Sequence, residues 1–257
     1  MISKDQSLEK NNKLPKVDIY FWIMLITATT VGETAGDLIS MTLGVGYAVS
    51  SVILIGLFLL ALIFELFSKS QHPALFWTVI ILTSTAGTTV ADYINRTLAF
   101  GYTKGTLLLL VILAAIFGLW RLLSNSLAIE NVKSVKTEIL YWAAILFSST
   151  MGTALGDYIA DEDGLGLGFG KGTLLLAALI VLTALTYFFT KVSRVFLFWA
   201  AIVVTHPIGA TTGDLFTKPS GFNLGPISAT LILLGIFAAV SVAIYFKKRS
   251  ELTPTPS

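Results

Sequence analysis

Four segments of this chain read to one template. They are WIMLITATTVGETAGD from Trp22 to Asp37, WTVIILTSTAGTTVAD from Trp77 to Asp92, WAAILFSSTMGTALGD from Trp142 to Asp157 and WAAIVVTHPIGATTGD from Trp199 to Asp214. In each copy Trp precedes Asp by 15 residues, and a glycine follows the Trp by ten: Gly32, Gly87, Gly152 and Gly209. The residue before each Asp is small: Gly36, Ala91, Gly156 and Gly213. A Gly-aromatic step follows in the next turn, read as Gly46-Tyr47, Gly101-Tyr102, Gly168-Phe169 and Gly221-Phe222. A period of this length means that one supersecondary unit is used repeatedly and buries its apolar face against its neighbours.

Each unit holds two apolar stretches, giving eight at about 18–41, 48–67, 74–98, 105–123, 138–160, 172–190, 195–216 and 226–246. A bilayer core needs about 20 apolar residues per helix. With 55% hydrophobic and only 12% charged residues, the chain cannot cover a water-facing surface, and disorder is excluded for the same reason. The expected fold is therefore all-α: a polytopic membrane protein of eight transmembrane helices. They form four parallel two-helix repeats around a pseudo-fourfold or two-by-two axis. The segments are a cytoplasmic tail (1–17), repeats at 18–67, 68–123, 124–190 and 191–246, and a second cytoplasmic tail (247–257). The first apolar stretch reads as an uncleaved helix rather than a signal peptide.

Lys and Arg are divided 13 to four between the two sides, with Arg96, Lys104, Lys171 and Lys218 on the poorer one. The positive-inside rule then places both termini in the cytoplasm, here of a bacterial inner membrane. The four tryptophans fall in the cytoplasmic aromatic belt, and Glu65 at the cytoplasmic interface. Asp161, Glu162 and Asp163 form an acidic cluster on the outer side. A net charge of +2 without a basic block argues against a nucleic-acid partner. The absence of cysteine excludes disulfides, Cys-ligated metals and a Cys nucleophile.

Fifteen residues of helix rise about 22 Å, so the four aspartates share one depth in the outer part of the bilayer. Helical spacing aligns Thr30, Glu33 and Thr34 with Asp37; Thr85, Thr88 and Thr89 with Asp92; and Thr150 and Thr153 with Asp157. Thr211 aligns with Asp214, and two turns of helix are expected beyond each Asp. Five acids facing lipid would together cost about 10 kcal/mol or more, so these stripes should face one another or a wet cavity. Converging carboxylates repel, and some must hold a proton or share a cation. The glycines Gly32/Gly36, Gly152/Gly156 and Gly209/Gly213, with Gly87/Ala91, fit helix packing through small residues. Packing does not account for four aspartates in register, although polar ties between helices are the alternative. Glu33 stands where the other copies have Thr88, Thr153 and Ala210. His206, ahead of Pro207, marks either a degenerate, kinked repeat or a proton relay.

GLGLGFGKGT (Gly164–Thr173) fails as a phosphate-binding loop, because Gly172 separates Gly-Lys from Thr. Thr30-Val31-Gly32 echoes a potassium filter but lies inside a helical stripe with no pore helix to spare. No nucleophile–base pair or redox-metal motif appears, so no enzyme activity and no cofactor are expected. With its repeated G-x-x-x-[GA]-D stripe, the chain from Trp22 to about Phe246 resembles a bacterial family of uncharacterised multi-pass "membrane-anchored" proteins. Glu33-Thr34-Ala35-Gly36-Asp37 is also similar to the E-x-G-D-[KR] motif of Gdt1-like manganese/calcium:proton antiporters. It differs by one extra residue and by Leu38 at the basic position, so only Glu33 and Asp37 carry over.

The expected function is export of a hard, Mn²⁺-like cation in exchange for protons. Glu33, Asp37, Asp92, Asp157 and Asp214 would be the ligands, and Thr30, Thr34, Thr85, Thr88, Thr89, Thr150, Thr153, His206 and Thr211 would line the cavity. The expected partners are the bilayer and the transported cation. A proton-coupled carrier of a small organic solute and a non-transporting scaffold are the alternatives.

Overall fold

The computed structural model describes residues 14–68 and 72–252, with side chains through 247. The tail lysines Lys4, Lys10 and Lys13, the loop residues Ser70 and Gln71, and the extreme C-terminus lie outside the described residues. The described chain holds eight α-helices and no strand. They are α1 (Ile19–Asp37), α2 (Tyr47–Phe67), α3 (Pro73–Asp92), α4 (Gly101–Ser124), α5 (Val135–Ala160), α6 (Gly168–Phe189), α7 (Arg194–Thr217) and α8 (Gly225–Leu252).

Local chemistry sets the ends. At the Trp-bearing end, the Asp18 side chain accepts from the Phe21 N–H at 2.9 Å, Pro73 opens α3, Ser134 and Thr137 form a capping box, and Ser193 caps α7. At the other end each even helix starts from a glycine with positive φ: Gly46 (81°), Gly101 (71°), Gly168 (73°) and Gly225 (71°). A side chain would strain that turn. The fourth copy therefore pivots on Gly225, and the pairing of Gly221 with Gly46, Gly101 and Gly168 is corrected. Gly221 instead matches Gly164: a Cβ on either would lie 2.0 Å from a carbonyl of the preceding helix, that of Leu215 or Tyr158.

Seven helical spans are long and apolar enough to cross a membrane; among the described residues α1 is not one of them, against the eight expected. Its Thr-Gly stripe and Glu33 dilute an otherwise apolar run. Among the seven, 56–67% of the odd helices' apolar windows is buried, against 11–33% of the even helices'. The odd helices thus form the interior. They pack in a closed cycle, α1 on α3, α3 on α5, α5 on α7 and α7 on α1. Each even helix packs chiefly on the odd helix of the following repeat: α2 on α3, α4 on α5, α6 on α7, and α8 back on α1. The repeats therefore interlock, and covalent order and packing order are offset by one.

Two layers of identical contacts close the ring. In the first, a Cβ on Gly32 would lie 2.3 Å from Ser84 Cβ, on Gly87 2.9 Å from Ser149 Oγ, on Gly152 2.4 Å from His206 Cβ, and on Gly209 2.3 Å from Thr29 Oγ1. Each glycine meets the seventh residue after the Trp of the next repeat. One turn on, Gly36 faces Thr88, Gly156 faces Ala210, and Gly213 faces Glu33. Advancing four residues on both partners preserves the contact, so the four odd helices run parallel. At the Trp end, Phe21 meets Trp77 at 5.8 Å, Phe76 meets Trp142 at 5.5 Å, Tyr141 meets Trp199 at 6.0 Å and Phe198 meets Trp22 at 6.0 Å, again in one cyclic order. Trp142 and Trp199 are buried and Trp22 and Trp77 half-buried, so these rings close the bundle from within rather than forming a lipid-facing belt. Glu65, in the last turn of α2, is likewise buried, at 1% exposure.

Candidate functional site

The same register that packs the glycines brings position 11 after each Trp to the middle of the ring. Three of the four residues there meet. Glu33 Oε2 accepts from the Thr88 hydroxyl at 2.9 Å and from the Thr153 hydroxyl at 2.8 Å, and the two hydroxyls lie 3.3 Å apart. The fourth position is Ala210, which packs on Gly156. One carboxylate, two hydroxyls and one methyl thus occupy this layer.

The aspartates lie one turn further on, about 6 Å along the helix. Asp37, Asp92, Asp157 and Asp214 are 3%, 2%, 4% and 1% exposed. Two cations stand among them. Arg96 Nε is 2.8 Å from Asp92 Oδ1, its Nη2 is 3.4 Å from Asp157 Oδ2, and its Nη1 donates to the Tyr47 hydroxyl at 3.3 Å. Lys218 Nζ is 2.8 Å from Asp214 Oδ1 and 3.8 Å from Asp37 Oδ2, and 5.2 Å from the centre of the Phe169 ring. Each cation follows the Asp of its own repeat by four residues and reaches the Asp of the next repeat. Burial works against the Lys218 ammonium, but Asp214, Asp37 and Asp157 outweigh it and hold its pKa above the usual lysine value. It therefore stays charged across the physiological range.

Arg96 and Lys218 were expected only as outer-side charges that help set orientation, and their place in the acidic layer is a correction. The signal was present in the sequence, since Arg and Lys stand four residues after the second and fourth Asp. The first and third repeats carry Met41 and Asp161 at that position. The spans of the odd helices end within two residues of the expected bounds, but without the two turns expected beyond each Asp. Asp37 and Asp92 close their α-helices and pass into the five-residue π-turns Leu38–Thr42 and Tyr93–Thr97, while Asp157 and Asp214 lie in the last turn before Ala160 and Thr217.

The other stripe residues are placed as follows. Thr30, Thr34, Thr85, Thr89 and Thr150 donate to carbonyls of their own helices at 2.8–3.1 Å, those of Ile26, Val31, Ile81, Ala86 and Leu146. Thr211 donates to Pro207 O at 3.0 Å and accepts from Thr173 of α6 at 2.9 Å. His206 lies away from the carboxylates in the first glycine layer, with Nδ1 3.1 Å from Ser148 Oγ and 2.9 Å from Ile202 O. Asn95, Arg96, Tyr102, Lys104 and Asp163 border an open cleft of about 460 Å³ next to the acidic layer.

The layer is electrically lopsided. Asp92 and Asp157 share Arg96, whereas Asp37 and Asp214 share Lys218 and have the further carboxylate of Glu33 beside them. On that second side Glu33, Asp37 and Asp214 can each offer one carboxylate oxygen, all within 4.8 Å of one another. Three oxygens at that spacing suit a hard cation, by ligand type and by charge.

The repeats match, at residues 20–71, 75–125, 140–193 and 197–250, the family described as Repeat of Unknown Function (DUF347). The chain belongs to this family. The four DUF347 matches fall on the four interlocked helix pairs, and they bear on no relation to the Gdt1-like antiporters. No curated protein and no solved structure matches the chain.

Proposed function

We propose that this DUF347 protein is a membrane carrier that exchanges a hard divalent cation, of the Mn²⁺ class, for protons through the layer of Glu33, Asp37 and Asp214. The observation that carries the reading is the convergence of those three buried carboxylates within 4.8 Å, with one lysine among the described residues, Lys218, paired to Asp37 and Asp214. In a bilayer the helices cross with the aromatic layer toward the cytoplasm and the aspartates toward the outside. The repeats then surround an axis along the membrane normal. Three carboxylates against one ammonium leave a deficit of two charges, which two protons or one divalent cation would fill. Competition between these fillings is the coupling: cation binding weakens as pH falls, because protons occupy the same oxygens. The aromatic layer would be the inner gate, and the Arg96–Lys218 layer the outer one.

A carrier of an organic solute fits less well. Most of the stripe hydroxyls are turned to their own backbones, and the 460 Å³ cleft borders Arg96 rather than the three carboxylates. The test is a liposome assay with purified protein and an imposed Mn²⁺ gradient, read by an entrapped pH dye. Asp37→Asn and Asp214→Asn should each abolish Mn²⁺-driven proton movement, and Asp163→Asn, in the outer loop, should leave it intact. Undiminished flux with Asn at all four ring aspartates would overturn this site, and no Mn²⁺-driven proton movement in wild type would favour a non-transporting scaffold.

A further inference from the structure

The two ring cations are held differently. The Arg96 guanidinium touches three partners, Asp92, Asp157 and Tyr47, and lies 5.9 Å from the Tyr47 ring centre. A planar guanidinium held by several partners at once is a fixed neutraliser. Lys218 is a point charge on a flexible stem, placed on the first residue beyond α7. It is close to Asp214 but 3.8 Å from Asp37, and its side chain is 24% exposed. It thus has one firm partner and one loose partner, beside the Phe169 ring, whereas the Arg96 side chain, 30% exposed, is fixed by its three partners and not by deeper burial. Its ammonium lies beside the pair that, with Glu33, can offer three oxygens to an ion.

We infer that Lys218 is a tethered surrogate for the transported cation: its ammonium leans into the Glu33–Asp37–Asp214 site beside the protons when that site holds no metal ion, and an incoming cation moves it toward the outer side, where it still offsets the third carboxylate. This inference rests on the carrier reading above and assigns to that site its resident competitor. The sequence context is asymmetric in the same sense. The repeat that supplies Lys218 is followed in the ring by the only repeat carrying a carboxylate at the Glu33 position. The Arg96 half has Thr88 and Thr153 at that level and no third acid. The larger deficit, two charges against one, thus lies beside the lysine.

The experiment is equilibrium binding of Mn²⁺, followed by the loss of its free-ion electron paramagnetic resonance signal, on detergent-purified full-length protein. Wild type is compared with Lys218→Gln and Lys218→Arg. Removing a unit charge within about 4 Å of the ligands should tighten Mn²⁺ binding in Lys218→Gln by about tenfold or more. Lys218→Arg keeps the charge and should bind no more tightly than wild type. If Lys218→Gln does not fold, Lys218→Met and the wild type at high and low Na⁺ replace it, and only the charge-free variant should gain affinity. Equal Mn²⁺ affinity in wild type and the charge-free variant overturns the surrogate role while leaving the carrier reading standing. Absence of Mn²⁺ binding in every variant overturns both.

Discussion

Glu33 is a single departure from an otherwise regular ring, and its surroundings show why it is tolerated. Two threonines from the second and third repeats donate to one of its oxygens, which satisfies an acceptor that burial would otherwise leave costly. Gln in its place can still accept from both hydroxyls, so Glu33→Gln should keep the thermal unfolding midpoint at or above that of wild type while removing one negative charge from the site. Arg96 behaves oppositely. Arg96→Gln leaves Asp92 and Asp157 without a counter-charge. As the guanidinium is partly exposed, the expected loss is about 1–3 kcal/mol, below the 3–5 kcal/mol of a fully buried pair. Arg96→Lys should recover only part of that, because one ammonium cannot repeat the three-partner geometry. Thermal unfolding in detergent measures all three variants.

At the scale of the helices, the glycines divide into two groups. Gly32 and Gly209 are pressed against the neighbouring odd helix, where a Cβ would meet atoms at 2.3 Å. Gly118, on α4, has nothing within 4 Å of that position. Gly32→Ala and Gly209→Ala should each cost about 1–3 kcal/mol through overpacking. Gly118→Ala should be neutral or stabilise by up to about 1 kcal/mol, since alanine is the better helix former. A destabilisation of Gly118→Ala equal to that of Gly32→Ala would contradict the inner-ring and outer-shell assignment. The G-x-x-x-G spacing made the packing face readable in sequence. It did not show that each even helix serves the next repeat, since a period fixes the unit but not its neighbour. The aromatic residue before every Trp, at Phe21, Phe76, Tyr141 and Phe198, held the clue to the inward-facing layer. A belt position was inferred instead, because tryptophan at a helix end suits a lipid interface as well as a ring contact.

The whole molecule is a cycle written on a linear chain. The contacts from the fourth repeat to the first are the same as those between consecutive repeats, and α8 covers α1 as α2 covers α3. The chain break between α8 and α1 is therefore an ordinary seam of the ring. Halves made by cutting between Glu130 and Asn131, 1–130 and 131–257, should co-purify when expressed together, and neither half alone should be stable. Failure to associate would contradict the interlocked ring. Of the site, the five acids were legible from their register. The paired cations were not, because an Arg or Lys at a helix end reads first as a topology signal, and only the ring geometry turns it toward the acids. Arg96 and Lys218 also make the ring two-by-two in charge, with one half one charge short and the other two.

The central claim is that this deficit is filled by a cation or by protons in exchange. The most direct measurement is the internal pH of proteoliposomes under an imposed Mn²⁺ gradient, with wild type compared to Glu33→Gln after both are shown to fold. The account predicts Mn²⁺-driven proton movement in wild type and its loss, by at least about tenfold, in Glu33→Gln. Equal proton movement in the two proteins, or none in wild type, would contradict it.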